Sequence, residues 1–171
     1  IYDKGFIPSS VASSWAVLTE DEKSLGVMMV DMGLGTLDLA IYVNHEIAYS
    51  SVLGRGGSYL ALDVAQFFNI PRSEAERVIL EEGSASAEFL TDGSGDKAIV
   101  AQSVSNDIQV TFTRRDLANV LEAQLDEQLG WMKEQMEQAS TNLRLNVSGV
   151  VLTGGTSLLM GLAQKARKVL G

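Results

Sequence analysis

The stretch that most constrains this chain runs from Val30 to Asp38, with the sequence Val-Asp-Met-Gly-Leu-Gly-Thr-Leu-Asp. It places two aspartates and two glycines around one short turn, between an apolar run that begins at Leu25 and a segment in which apolar residues alternate with polar or small ones. This pattern predicts a β-hairpin. Glycines in such a turn let the backbone take turn dihedrals and bring its N–H groups against a ligand, usually phosphate. An ordinary glycine-rich hairpin, with Thr36 and Asp38 as turn residues, is the alternative.

The two aspartates of this stretch are candidate magnesium-site residues. Asp31 comes at the end of the first predicted strand, where its carboxylate could hold a water ligand of Mg²⁺. Asp38 could serve the next coordination shell. Neither carboxylate needs to touch a phosphate directly.

Composition excludes several classes of function. The 171 residues are 46% hydrophobic and 20% charged with a net charge of −9, so a sizeable core can form and nucleic acid is not an expected partner. Cysteine is absent and His45, interpreted as a solvated turn residue, is the only histidine, which excludes thiolate chemistry and histidine-based triads. Because the chain begins at Ile1 rather than Met, we expect a fragment of a longer protein. The absence of cysteine fits a cytoplasmic protein, and no apolar run approaches the roughly 20 residues that a membrane span needs.

The rest of the sequence predicts a mixed α/β chain. A helix should begin after Pro8, residues 19–23 should form a surface loop, and a strand over Glu46 to Leu53 should complete a three-stranded antiparallel start to the sheet. The later predictions, in chain order, are a helix capped by Ser58, a helix over 74–82, a mobile loop over 83–97, a hairpin of strands 98–104 and 108–113, a helix over 114–139 capped by Thr113, a strand over 147–153 and a helix over 157–170.

Two further glycine turns precede predicted helices. Gly56-Gly57 follows the third strand, and Gly154-Gly155 follows the strand that begins near Val147. A strand, a Gly-Gly turn and a helix N-terminus form a place where a planar base or a phosphate can lie against bare backbone, although a plain strand-to-helix turn has the same sequence pattern. Glu76 has the spacing of a capping box with Ser73.

Basic residues occur at two helix ends. Arg114 and Arg115 lie in the first turn of the long helix, where the helix dipole disfavours cations. Solvation and an acidic partner are the two explanations for them. The cations of residues 165–168 lie in the last turns of the final helix, where the dipole favours them, so a membrane-binding patch is the less favoured interpretation.

Taken together, the motifs resemble a known superfamily. The Asp-x-Gly-x-Gly-Thr-x-Asp hairpin, the Gly-Gly before a helix, and Val-Val-Leu-Thr-Gly-Gly at residues 150–155 resemble the nucleotide-binding motifs of actin, hexokinase and heat-shock chaperones. Within that superfamily, the segments at 12–23 and 25–27 closely resemble FtsA, the actin homologue of the bacterial division ring. The resemblance covers almost the whole chain.

The resemblance implies the C-terminal half of a ribonuclease-H-like, actin-like ATPase fold. Residues 1–70 and 147–171 would form the core subdomain, and residues 71–146 a small α+β inserted subdomain. ATP and Mg²⁺ would bind between this lobe and a first lobe that the chain lacks. The implied nucleotide-binding residues are Asp31, Gly33, Gly35, Thr36, Asp38, Gly56, Gly57, Glu76, Gly154, Gly155 and Thr156, with Asp31 holding Mg²⁺ through water.

Three positions depart from the superfamily pattern. Leu34 stands where glycine is common, Leu37 where threonine is common, and Ile79 where lysine is common. Leu34 should restrict the turn dihedrals. We therefore expect at most weak ATP hydrolysis by the complete protein. Because phosphate contacts in this superfamily come from both lobes, we expect neither activity nor more than weak ATP binding by this chain alone.

The resemblance also implies partners. FtsA-like proteins self-associate into filaments and tether FtsZ, with other divisome proteins, to the inner face of the cell membrane at the division site. The FtsZ C-terminal tail would bind the inserted subdomain at Arg114, Arg115 and Asn119, which favours the acidic-partner explanation of the two arginines. The family's membrane anchor is a C-terminal amphipathic helix that this chain does not contain. The alternatives are another actin-like ATPase, of the pilus-assembly or chaperone type, and a structural relic that binds no nucleotide.

Overall fold

The fold is described from a computed structural model covering residues 6–91, 93–105, 108–142 and 144–171. It contains six helices and six strands within those ranges. They are α1 (Ser9–Val17), α2 (Glu20–Leu25), β1 (Val27–Met32), β2 (Leu37–Val43), β3 (Glu46–Leu53), α3 (Gly57–Phe68), α4 (Arg72–Glu82), β4 (Ala98–Gln102), β5 (Gln109–Thr113), α5 (Arg114–Asn142), β6 (Val150–Thr153) and α6 (Leu162–Leu170).

A four-stranded mixed sheet, in the order β3-β2-β1-β6, forms the centre of the molecule. The first three strands pair antiparallel and β6 runs parallel to β1, which confirms the predicted antiparallel start to a mixed sheet. Asn44 and His45 connect β2 to β3 with φ values of 51° and 69°. Positive φ at both central residues is the geometry of the two-residue hairpin turn that suits strand twist.

Both faces of the central strands are buried. Met28, Val30 and Met32 face a large core that includes α3 and α5, whereas Val27 and Met29 face a smaller cluster that contains Leu18 and Tyr42. Covered faces on both sides explain why β1 is an uninterrupted apolar run except for Asp31.

The large core continues from the sheet into the β4–β5 hairpin. Phe112 on β5 stacks on Phe68 at the end of α3, with ring centroids 3.7 Å apart. The predicted apolar stripe of α5 is buried against this core. The predicted cap of α5 is also present, because the Asp116 amide donates to the Thr113 hydroxyl at 3.1 Å and the Thr113 amide donates to the Asp116 carboxylate at 2.9 Å. The division into a core subdomain and an inserted subdomain at residues 71–146 stays a prediction.

Several local predictions were wrong. The expected loop at 19–23 lies in α2, which begins with a capping box in which the Glu22 amide donates to the Thr19 hydroxyl at 3.3 Å. The expected mobile loop at 83–97 contains two short 3₁₀ turns, and its first residues are buried because the Ala85 amide donates to the Met160 carbonyl at 2.8 Å. Asp92 lies outside the described residues.

Two predicted helix caps do not form. Ser58 lies inside α3, whose N-cap is Gly56. Ser73 does not cap α4, which begins at Arg72 after Pro71, and Glu76 instead accepts a hydrogen bond from Arg72 Nε at 3.0 Å. Near the C-terminus, residues 155–158 form a 3₁₀ turn, so the last helix begins at Leu162 rather than at residue 157.

None of the helices in the described part of the chain is long and apolar enough to cross a membrane.

Candidate functional site

The turn between β1 and β2 is closed by a hydrogen bond from the Gly33 amide to the Thr36 carbonyl at 3.0 Å. Neither Gly33 nor Gly35 has a positive φ, so neither glycine is required for turn dihedrals. Leu34 is exposed and has no positive φ either, which contradicts the expectation that it restricts the turn. A Cβ on Gly35 would meet no atom within 4 Å, so this backbone faces open space.

Two successive amides of this turn have no acceptor within the described part of the chain. Among the residues that the structure describes, no protein acceptor receives the amide of Leu34 or of Gly35. Successive unpartnered N–H groups in a turn bind anions. The β1–β2 turn therefore has the chemistry for a phosphate group.

The two predicted aspartates lie directly opposite each other, Asp31 on β1 and Asp38 on β2. Directly opposite residues of an antiparallel pair project on the same side of the sheet. The Asp31 carboxylate accepts a hydrogen bond from Ser13 on α1 at 2.5 Å. The Asp38 carboxylate accepts from Ser9 and from Thr36, each at 2.5 Å. The sequence analysis missed the two serines, whose spacing of four residues places them on one face of α1.

The second glycine turn is docked on the first. The amides of three successive residues at 56–58 donate to the three carbonyls of residues 35, 33 and 34, at 3.1, 2.9 and 2.7 Å respectively. A Cβ on Gly56 would lie 2.7 Å from the Leu34 carbonyl oxygen. The amides of Gly56 and Gly57 are thus already bonded to protein, and their glycines permit two backbone segments to touch.

The third glycine turn reaches the same place. The parallel register pairs Asp31 with Thr153, so Gly154 follows directly beside the carboxylate. Gly154 has φ +83°, and a Cβ on it would collide with the Asp31 carboxylate and lie 2.7 Å from the Met32 carbonyl oxygen. A Cβ on Gly57 would lie 2.6 Å from the Thr156 hydroxyl. Three turns that are distant in sequence therefore meet at one end of β1.

A cavity of about 630 Å³ opens beside these turns, between α3, α4 and residues 155–160. Four of the predicted nucleotide-binding residues line it, namely Gly57, Glu76, Gly155 and Thr156. Its other lining residues are mostly apolar: Leu34, Leu60, Ala61, Ile79, Leu80, Glu81, Gly83, Arg114, Leu158, Leu159 and Met160. Apolar walls with a few polar groups, in a volume of roughly 300–1,000 Å³, are typical of small-molecule sites.

The residues fit a nucleotide in two separate respects. The cavity can take a planar base between apolar walls, and a Cβ on Gly155 would meet nothing within 4 Å, so its backbone is open to a ligand. The β1–β2 turn offers its free amides to phosphate. Over the described ranges, no three His, Cys, Asp or Glu side chains group as metal ligands. Mg²⁺ would therefore need phosphate and water as ligands, with Asp31 at the turn.

Of the three predicted partner-binding residues, Arg115 and Asn119 share an exposed face of α5, whereas Arg114 lies on another side. The Arg114 side chain is mostly buried and lines the cavity, where it donates to the Glu82 carbonyl at 2.9 Å and to the Ser94 hydroxyl at 2.8 Å. Arg115 is exposed and lies 3.4 Å from Asp96. Asn119, one helical turn further, is exposed in the groove between α3 and α5.

This α3–α5 groove has a volume of about 600 Å³ and contains both apolar and acidic side chains. Its lining residues are Asp63, Gln66, Phe67, Asp116, Asn119, Val120 and Ala123. Burial raises the pKa of Asp63, and the neighbouring Glu127 adds to this rise, although a hydrogen bond with Gln124 and the charge of Arg55 oppose it.

The sheet, the three converging turns and the adjacent cavity define an actin-like ATPase fold. A crystal structure of MreB5 of Spiroplasma citri bound to ADP matches with a TM-score of 0.75, over 91% of this chain and 50% of that chain, at 19% identity. The family model for cell division protein FtsA matches residues 28–171, and the chain belongs to this family.

Individual family members agree with this assignment. Cell division protein FtsA of Escherichia coli K12 is 34% identical over 167 residues, which are 94% of this chain and 39% of that protein. Its counterpart in Neisseria meningitidis serogroup B is 33% identical over 159 residues, 93% of this chain and 38% of that protein. The chain thus spans about two fifths of the length of these relatives.

Proposed function

We propose that the complete protein containing this chain binds ATP with Mg²⁺ between two lobes, polymerises, and tethers FtsZ to the inner face of the cell membrane during division. The observation that carries the nucleotide part is the convergence of three glycine turns beside one cavity. The ADP-bound state of the MreB5 structure supports it, because that protein shares the fold. The family assignment supports the role in division.

Several of the predicted residues receive a role in this proposal. The cavity would hold the base and ribose, with Glu76 beside the ribose, and with Thr156 and the open backbone of Gly155 beside the base. The β1–β2 turn would bind the phosphates through its amides, and Asp31 would orient a water on Mg²⁺. When bound, Mg²⁺ supplies positive charge that offsets the charge of the phosphates. No residue is assigned as a catalytic base, so we propose slow hydrolysis at most.

Calorimetric titration of the complete protein with ATP in the presence of Mg²⁺ tests the nucleotide proposal. Gly155→Val should lower the affinity at least tenfold, because the new side chain would project into open space that the ligand needs. Gly149→Val is the matched control, since this glycine is equally open but lies at the opposite end of β6. Equal affinities of wild type and Gly155→Val would contradict the placement of the site, and rapid Mg²⁺-dependent turnover would favour the alternative of a chaperone-type ATPase.

Binding of the FtsZ tail is proposed on the exposed face of α5 that carries Arg115 and Asn119. The half-exposed guanidinium of Arg115 packs against Gly95 and contacts Asp96 at 3.4 Å, and it can turn toward a carboxylate of a bound peptide. Arg114 is included in the proposal, but its buried hydrogen bonds mean that substituting it would also perturb the cavity and the 84–97 segment.

The matching experiment titrates this chain with a peptide of the FtsZ C-terminal tail. Micromolar binding that weakens about tenfold, roughly 1.4 kcal/mol, in an Arg115→Ala, Asn119→Ala variant would support the proposal. Lys133→Ala, an exposed cation further along the same helix, should bind like the wild type. Absence of binding to the folded chain would contradict the proposed FtsZ site and leave only the family assignment.

A further inference from the structure

We propose that Ser9 and Ser13 are positioning residues of the nucleotide site, which hold the carboxylates of Asp38 and Asp31 in the arrangement that Mg²⁺ requires. The inference rests on the proposed binding of Mg²⁺-ATP. It concerns two side chains on α1, outside the three glycine turns.

The hydrogen bonds join two pairs with matching geometry. Ser9 and Ser13 are separated by one helical turn, and their acceptors are opposite each other in the β1–β2 register. Each hydroxyl donates at 2.5 Å to one carboxylate oxygen, Ser9 to Asp38 Oδ1 and Ser13 to Asp31 Oδ2. The first two turns of α1 therefore lie along the aspartate pair.

The hydrogen bonds from α1 offset the electrostatic repulsion between Asp31 and Asp38. Two carboxylates directly opposite on one face of a hairpin destabilise it. The hydroxyl donors stabilise negative charge on both carboxylates, and the N-terminal end of the α1 dipole adds to this at Asp38, whose donor Ser9 begins the helix. With no acidic residue in its first turn, α1 adds no charge that would oppose this effect.

The two carboxylates differ in how many of their oxygens accept a hydrogen bond from a hydroxyl. Both oxygens of Asp38 accept hydroxyl donors, from Ser9 and Thr36. Asp31 accepts the Ser13 hydroxyl on Oδ2, which leaves its Oδ1 without a donor among the described residues, beside Gly154. Oδ1 of Asp31 is thus the oxygen presented toward the turns, and Ser13 fixes which oxygen that is.

The test compares the affinity of the complete protein for ATP in Mg²⁺ with that in EDTA. In wild type, Mg²⁺ should increase the affinity. In a Ser9→Ala, Ser13→Ala variant, the ratio of the affinity in Mg²⁺ to the affinity in EDTA should fall about tenfold. The affinity in EDTA should change less than twofold, because the base cavity is untouched. A Ser13→Thr variant, which keeps the hydroxyl, should retain most of the Mg²⁺ effect that Ser13→Ala loses.

Ser14→Ala is the matched control. Ser14 is a buried serine of the same helix whose hydroxyl contacts the Tyr42 hydroxyl at 2.6 Å rather than an aspartate, so it reports a merely structural loosening of α1. An equal loss in Ser14→Ala, or no loss in the double variant, overturns the inference while the proposed function stands. A wild type that binds no nucleotide overturns both. If the double variant does not fold, the single Ser13→Ala variant gives the same comparison.

Discussion

Gly154 and Gly155 are adjacent, but the structure predicts opposite results for substituting them with alanine. Gly154 has φ +83° and ψ 167°, a backbone region that is almost exclusive to glycine, and its new Cβ would collide with the Asp31 carboxylate. An unfavourable backbone costs about 1–3 kcal/mol and overpacking about 1–3 kcal/mol, so Gly154→Ala should lose about 2–6 kcal/mol. For a chain of this size, this corresponds to a fall in Tm of roughly 5–20 °C.

Gly155→Ala provides the internal control. Its Cβ would meet no atom within 4 Å and its φ is not positive, so the free energy of unfolding should change by less than about 1 kcal/mol. Urea unfolding of both variants and the wild type at pH 7, with m-values compared, measures the difference. A cost below about 1 kcal/mol for Gly154→Ala, or equal costs for both substitutions, would refute the argument that packing against Asp31 requires this glycine.

Three further predictions concern the packing around the site. Asp116→Asn should remove the stability that the Asp116 carboxylate contributes to the α5 cap at neutral pH. Hydrogen bonds from the Thr113 hydroxyl and amide lower the pKa of Asp116 below 3.8, so this contribution is present above pH 3.8 and is lost as the pH falls further. The urea midpoints of wild type and variant should therefore converge in acid. Lys165→Met should cost only about 1 kcal/mol, because its partners Glu122 and Asp126 are partly exposed and can hydrate. Burial lowers the pKa of Lys165, but the bonds to Asp126 and Glu122 outweigh this effect and raise the pKa above 10.5. The contribution of Lys165 to the free energy of unfolding should therefore be present below pH 10.5 and disappear at higher pH. A difference in stability between variant and wild type that stays unchanged up to about pH 12 would contradict this. Phe112→Ala should cost about 3–5 kcal/mol by calorimetry, since it removes a buried ring stacked on Phe68, whereas exposed Phe67→Ala should cost much less.

The central sheet could be predicted from the sequence because its information is local. The alternation after Leu37 and the Asn44-His45 turn specify the hairpin whatever surrounds it, and β3 has the predicted bounds. The position of the last strand in the sheet, in contrast, is not encoded by a local pattern. That β6 pairs parallel to β1 depends on the path of more than 110 intervening residues, and no local pattern in the sequence predicts this pairing.

The errors of the sequence analysis come from contacts between distant segments. Residues 83–97 have the small and polar composition of a mobile loop, but Ser84 and Ala85 are buried because the 155–160 segment covers them. Arg114 was considered as a surface cation, yet its guanidinium joins the end of α4 to Ser94. Neither packing partner is detectable from periodicity or composition.

The capping box at the start of α2 is detectable from the sequence. Thr19 and Glu22 have the spacing of a capping box, and the same rule was applied at Ser73 and Glu76, where it failed. The difference lies in the residue that precedes the helix. At α4, Pro71 itself occupies the N-cap and Arg72 is already helical, so Ser73 lies two positions past the N-cap and cannot cap the helix.

The glycines of the site fall into two groups with different physical roles. Gly56 and Gly154 are in contact with backbone or carboxylate atoms of other turns, so their missing Cβ permits the turns to pack. Gly35 and Gly155 face open space, so their missing Cβ leaves room only for something outside the chain. Sequence motifs cannot distinguish the groups, because both are written as glycine. Substitutions in the first group should therefore lower stability and leave the intrinsic chemistry of the amides intact, whereas substitutions in the second should lower affinity for a ligand without lowering stability. In the proposed nucleotide site, the packing glycines would hold the ligand-facing ones in place before the ligand arrives, which would reduce the ordering cost of binding.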